Sequence, residues 1–105
     1  MTLTDWWPAR NCHYCGKLVR GRDLHRDHFR PRSKGGSNKP KNIVDACGPC
    51  NSTKGHKLFA DARINLMFRR LGWPTFKPEQ LAWLRSKGFD LSQLENGRLY
   101  FEEKE

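Results

Sequence analysis

Apolar positions along the 105-residue chain fall into short groups whose spacing changes from one half to the other. Leu18, Val19 and Leu24 stand among polar residues around Gly21, which predicts short strands, and Ile43-Val44 predicts another. From Asn51 the spacing turns helical. Leu58, Ala62, Leu66 and Arg69 recur at intervals of four, four and three until Gly72, Trp73 and Pro74 stop the run. Gly55 weakens that helix locally. A further helix is predicted over 78–87, with Pro78 at its start, Glu79 in its first turn, Leu81 and Leu84 inward, and Gly88 as its stop. Between the strands, "PRSKGGSNKPKN" (31–42) carries two prolines, paired glycines, Ser and Asn, and is a loop by every local signal. Near the end, Asn96-Gly97 suits a small hairpin or a cap on the core. Trp6 and Trp7 are expected to pack back onto the domain. Phe59, Phe68, Trp73, Phe76, Trp83, Phe89 and Tyr100 are expected to form an accessory core rather than a base-stacking platform.

Composition limits how much this pattern can hold together. A chain of this length predicts one domain over 1–105, near the lower comfortable size for a core. Apolar residues make up 36% and mean hydropathy is −0.87, so the core is modest and a covalent or metal staple would help. No run is long and apolar enough to span a membrane. The opening "MTLTDWWPARN" lacks the basic-then-apolar order of a signal peptide, so a cytoplasmic location is the expectation.

In that reducing compartment, four cysteines read as metal ligands rather than disulfides. Cys12/Cys15 and Cys47/Cys50 form two CxxC pairs with 31 residues between them. Two such knuckles supply the four soft donors of a tetrahedral structural Zn²⁺ site. A redox dithiol would account for only one pair. Four thiolates fill the coordination sphere of zinc, so that ion staples the chain and is not the catalyst.

The chain between and just after the knuckles carries Asp27-His28, Pro31, Ser33, Gly35-Gly36, Asn42-Ile43-Val44, then Cys47-x-x-Cys50-Asn51 and Lys54-Gly55. In this order and spacing, residues 12–55 resemble the zinc-stapled branch of the HNH endonuclease family. The resemblance implies an α+β chain with a ββα-metal (His-Me finger) fold, a hairpin packed on a helix around a divalent ion. The ββα-metal and zinc core would lie at about 12–65, with an accessory helical region at 66–105. It also implies roles: His28 as general base, Asp27 as a ligand of the catalytic ion, and Asn42 as the residue that fixes the second strand and orients the histidine. Asn51 stands where many members have a last histidine, which makes this the HNN variant, with the Asn51 amide oxygen as second ligand.

The residue chemistry agrees. Phosphodiester hydrolysis needs an activated water and relief of charge on the phosphate and leaving oxygen. A neutral imidazole can take the proton, and an oxygen-ligated Mg²⁺ or Mn²⁺ can offset the charge. One geometric obstacle stands: consecutive strand residues point to opposite faces, so the strand is expected to end or bend at Asp27-His28. His25 would share a face with Asp27 and is a rival ligand. On an ideal helix His56 lies about 140° from Asn51 and faces away. His13 is expected to brace the knuckle.

A formal charge of +9, from 20 Lys and Arg against 11 Asp and Glu, favours a polyanionic partner. Arg30, Arg32, Lys34 and Lys54 flank the candidate site and are the expected phosphate contacts of double-stranded DNA. A larger phage or bacterial complex is a further candidate partner, and monomer and dimer are both open. The competing function is a zinc-ribbon-like nucleic-acid-binding module without chemistry. Asp27-His28, Asn42 and Asn51 separate the two, because binding alone does not require them.

Overall fold

The computed structural model describes residues 9–104; Trp6 and Trp7 lie outside them. Two small antiparallel sheets come first. Strands β1 (Arg10–Asn11) and β2 (Leu18–Val19) pair as Arg10↔Val19 and Asn11↔Leu18, closing the chain around the first knuckle. Gly16 turns that knuckle at φ 83°, and a Cβ there would sit 2.6 Å from Cδ2 of Tyr100, so glycine is needed both for conformation and for space. Strands β3 (Leu24–His28) and β4 (Ile43–Cys47) form the second sheet, with Asp27↔Val44 and His28↔Ile43 in register. Leu18-Val19 and Leu24 thus stand in short strands on either side of Gly21, as expected, in separate sheets.

Helix α1 (Gly48–Lys54) follows β4 directly, and Pro49 occupies its first turn, where its missing N–H costs nothing. Gly55, at φ 51° and ψ −133°, ends α1 rather than weakening one longer helix. Helix α2 (Phe59–Arg70) buries Ala62, Leu66, Met67 and Phe68. The β3–β4–α1 unit, with α2 against α1, is a small mixed α/β core, a hairpin packed on a helix as the resemblance implied.

The buried centre contains Cys12, Tyr14, Ala46, Cys50, Leu66 and Leu99. A second cluster joins Phe68, Leu81 and Leu91, with Phe76 against it, and docks α3 (Pro78–Ser86). The expected accessory core is only partly formed: Trp73, Trp83 and Phe89 are 56%, 57% and 59% exposed. The Asn96-Gly97 segment makes no hairpin among the described residues. It lies between the short helices α4 (Ser92–Glu95) and α5 (Tyr100–Glu103), and a Cβ on Gly97 would come 2.6 Å from Cε of Met67. The cap expectation holds: Leu99 is fully buried, and the amides of Tyr100 and Phe101 donate to the carbonyls of Tyr14 and His13 at 2.9 and 3.0 Å. Arg63 of α2 secures this segment through Glu102 Oε2 at 2.8 Å and the Gly97 carbonyl at 2.5 Å. Among the described residues, no helix is long and apolar enough to cross a membrane.

Candidate active site

The two knuckles meet. Sγ atoms of Cys12, Cys15, Cys47 and Cys50 lie within 4.8 Å of one another, three of the residues buried. A tetrahedron with Zn–S bonds of about 2.3 Å has S···S edges of about 3.8 Å, and Cys15 Sγ lies 3.7 Å from Cys47 Sγ. The donor set and its spacing therefore fit a structural zinc ion. Charge points the same way. Hydrogen bonds from Cys15 and Cys50 push the Cys12 thiol far down, while the Cys12 partner pushes Cys15 up to about 11 and Cys50 higher still. Sulfurs this close cannot all be thiolates without a cation to share, and loading zinc would release the protons.

Cys15 precedes and Cys47 ends the excursion that carries Asp27, His28 and Asn42, so the cluster fixes both of its ends. β3 stops at His28, as the geometric obstacle required, and Asp27, His28 and Asn51 line one cleft of about 260 Å³ together with Arg26, Pro31, Arg32, Gly55 and His56. Asn51 reaches it as the fourth residue of α1, next to Cys50 of the cysteine cluster.

Asp27 is 7% exposed and closely held. Tyr14 Oη donates to Asp27 Oδ2 at 2.6 Å, and Lys54 Nζ lies 3.2 Å from the same oxygen. Burial, and then the Asp27 carboxylate, raise the Tyr14 hydroxyl well above the ordinary phenol range, so Tyr14 stays a donor. Lys54 Nζ also donates to the His28 carbonyl at 2.9 Å. This corrects an expectation: Lys54 is fully buried and cannot be a surface phosphate contact.

His28 Nε2 lies 2.8 Å from Asn38 Oδ1. A carbonyl oxygen only accepts, so Nε2–H donates and Nδ1 is left as the ring nitrogen able to take a proton. The side-chain hydrogen bonds of Asn42 go to the loop, and its carbonyl accepts from the Phe29 amide at 2.8 Å. Its side chain accepts from the Arg30 amide at 2.9 Å and donates to the carbonyls of Arg30 and Ser37 at 3.0 and 2.7 Å, latching the loop that presents Asn38. Gly36 belongs to that latch, since a Cβ there would overlap the Arg30 carbonyl at 1.7 Å. Of the expected phosphate contacts, Arg32 lines the cleft, Lys34 is exposed nearby, and Arg30 folds back through Nε to the Lys34 carbonyl at 2.8 Å.

Three other histidines fall differently from expectation or sharpen it. His56 lines the cleft, because Gly55 breaks the helix on which the 140° turn was reckoned. His25 lies beside Gly48 in a separate cleft with Cys47 and Pro49, away from Asp27. His13 stacks on Phe101 with centroids 4.2 Å apart, bracing the knuckle against the C-terminal segment. Tyr14 and Asn38 carried no signal of their own in the sequence. Tyr14 had only its place between Cys12 and Cys15, and Asn38 only its place in a polar loop.

A two-stranded sheet and a helix beside a polar cleft, with four converging cysteines, match a His-Me or HNH-like fold. A family model for the HNH endonucleases matches residues 12–67, just over half of the chain, and the chain belongs to that family. Over 50 residues it is 38% identical to the CRISPR-associated endonuclease Cas9 of Corynebacterium diphtheriae; the match covers 47% of this chain and 5% of that protein.

Proposed function

We propose that the protein is a metal-dependent endonuclease of the HNN variant that hydrolyses phosphodiester bonds of double-stranded DNA, leaving 5′-phosphate and 3′-hydroxyl ends. The observation that carries this reading is the meeting of Asp27, His28 and Asn51 in one cleft rimmed by Arg26 and Arg32. Asp27 Oδ1 and the Asn51 amide oxygen are hard donors suited to Mg²⁺ or Mn²⁺. When bound there, such an ion would offset charge on the phosphate and the leaving 3′ oxygen. His28, its Nε2–H donated to Asn38, takes a proton from water at Nδ1. Arg32, and Lys34 outside the cleft, hold the phosphate backbone, giving affinity without base selection. Asn42 acts on His28 indirectly, by holding the loop.

One observation favours the competing reading, a binding module without chemistry: Asp27 Oδ2 is engaged by Tyr14 and Lys54, as a purely structural carboxylate would be. A supercoiled-plasmid assay decides between them. With Mg²⁺ or Mn²⁺ the wild type is expected to yield nicked or linear DNA, with EDTA to yield none, and His28→Ala to bind DNA but cut little. Equal cutting by His28→Ala would remove His28 as the base, and no cutting by the wild type in any metal would favour the binding module.

A further inference from the structure

Among the described residues, the buried charged side chains are Asp27 and Lys54, and they face each other. A buried pair of charges is a poor device for stability alone, because desolvation offsets most of the attraction. Its position suggests a second use.

Tyr14 Oη and Lys54 Nζ both act on Oδ2 of Asp27, at 2.6 and 3.2 Å. A carboxylate oxygen offers about two lone-pair sites, so Oδ2 is fully used and Oδ1 is what remains for a ligand in the cleft. The ammonium of Lys54 also cancels the single negative charge of Asp27. Asn51, the other candidate ligand, is neutral; Arg32 adds positive charge to the same cleft, and the charge of Arg26 there is balanced by Asp45 at 3.8 Å. A divalent cation entering alone therefore meets one free carboxylate oxygen and a surrounding net charge that is not negative. A phosphodiester supplies the missing negative charge and further oxygens.

Resting on the nuclease reading, we propose that Lys54 is a positioning residue that makes ion occupancy depend on substrate: it holds Asp27 to one free oxygen and neutralises it, so the cleft retains a divalent ion only together with a nucleic-acid phosphate. Ion and nucleic acid then bind with positive coupling, and by linkage each strengthens the other by the same factor. Lys54 Nζ, through its bond to the His28 carbonyl at 2.9 Å, ties the same device to the backbone that carries the base.

The test uses the zinc-loaded full chain carrying His28→Ala, so that bound duplex is not cut. Free Mn²⁺ is titrated by electron paramagnetic resonance with and without a short DNA duplex. Duplex is expected to tighten Mn²⁺ binding by about tenfold or more, and Mn²⁺ to tighten duplex binding equally. Adding Lys54→Gln, which keeps a donor but removes the charge, is expected to tighten Mn²⁺ binding without duplex by a similar factor and to shrink the coupling. If Lys54→Gln does not fold, Lys54→Met carries the same comparison. Tight Mn²⁺ binding by the His28→Ala protein without duplex, or no coupling, overturns the proposal even if both lysine variants fail to fold. A folded lysine variant with unchanged Mn²⁺ affinity leaves Lys54 a structural residue only. Plasmid cleavage by the wild type is scored separately, so loss of this inference and loss of the nuclease reading are told apart.

Discussion

The hydroxyl of Tyr14 donates to Oδ2 of Asp27 at 2.6 Å, and this bond joins the cysteine cluster to the cleft. Tyr14 stands between Cys12 and Cys15, so zinc binding by the first knuckle would fix the donor that aims Asp27. The second knuckle does the same through Lys54, one helical turn after Cys50. Each half of the cluster thus places a donor on one carboxylate oxygen.

Tyr14→Phe removes that bond while keeping the buried ring, which packs near Phe29 and Phe59. Zinc stoichiometry is expected to stay at one per chain. Hydrogen bonds to charged groups contribute about 1.5–3 kcal/mol, and a loss of stability of that size is expected in a urea titration. Cleavage is expected to fall by about tenfold because Asp27 is no longer aimed. Unchanged stability together with unchanged cleavage would mean the bond is incidental.

Cys47→Ser breaks the clamp at the end of β4. Structural zinc sites contribute apparent binding free energies of about 10–16 kcal/mol, comparable to or larger than the usual net stability of a small domain. Loss of metal by elemental analysis and loss of cooperative thermal unfolding are expected together. A folded, zinc-replete Cys47→Ser protein would contradict the staple.

What the sequence displayed and what it concealed divide along chain distance. The CxxC pairs, Asp27-His28 and the 31–42 loop are local signatures, and each was legible. Tyr14–Asp27, His28–Asn38 and Lys54–His28 span 13, 10 and 26 residues and exist only once the sheet and α1 have formed. Lys54 read as a surface cation because charge in a sequence carries no burial. His56 was misplaced because ideal helical geometry was carried across Gly55, whose backbone leaves the helix. The C-terminal half resisted for a related reason: its aromatics announce a core, but with α3 held by few buried side chains, Trp73 and Trp83 remain outside it.

Asn38→Ala removes the acceptor that holds the His28 ring through Nε2–H. A fall in kcat of about tenfold with KM nearly unchanged is expected, since the residue orients the base and does not bind phosphate. Imidazole nitrogen chemical shifts measured at alkaline pH report the tautomer directly. They are expected to show one dominant tautomer in the wild type and a mixture in Asn38→Ala. A mixture in both proteins would discard Asn38 as the positioning group.

The C-terminal segment is expected to loosen in acid. Its Glu102 carboxyl is held below the ordinary value of 4.5, chiefly by the Arg63 hydrogen bond. A depressed folded value means the carboxylate form is favoured in the native state, so the contribution is full above the unfolded value and is lost as pH falls through the lowered one. Amide protection factors across residues 97–104, corrected for the intrinsic exchange rate at each pH, should therefore fall on acidification through that range, and Glu102→Gln should flatten the dependence. An acid response unchanged in Glu102→Gln would assign it elsewhere.

The account rests on Asp27, His28 and Asn51 acting on one phosphate, and a crystal of the His28→Ala protein with duplex DNA and Mn²⁺ tests this most directly through anomalous scattering. The predicted result is a manganese peak within bonding reach of Asp27 Oδ1 and the Asn51 amide oxygen, touching a phosphate of the duplex. Manganese absent from the cleft while duplex is bound across it would contradict the account.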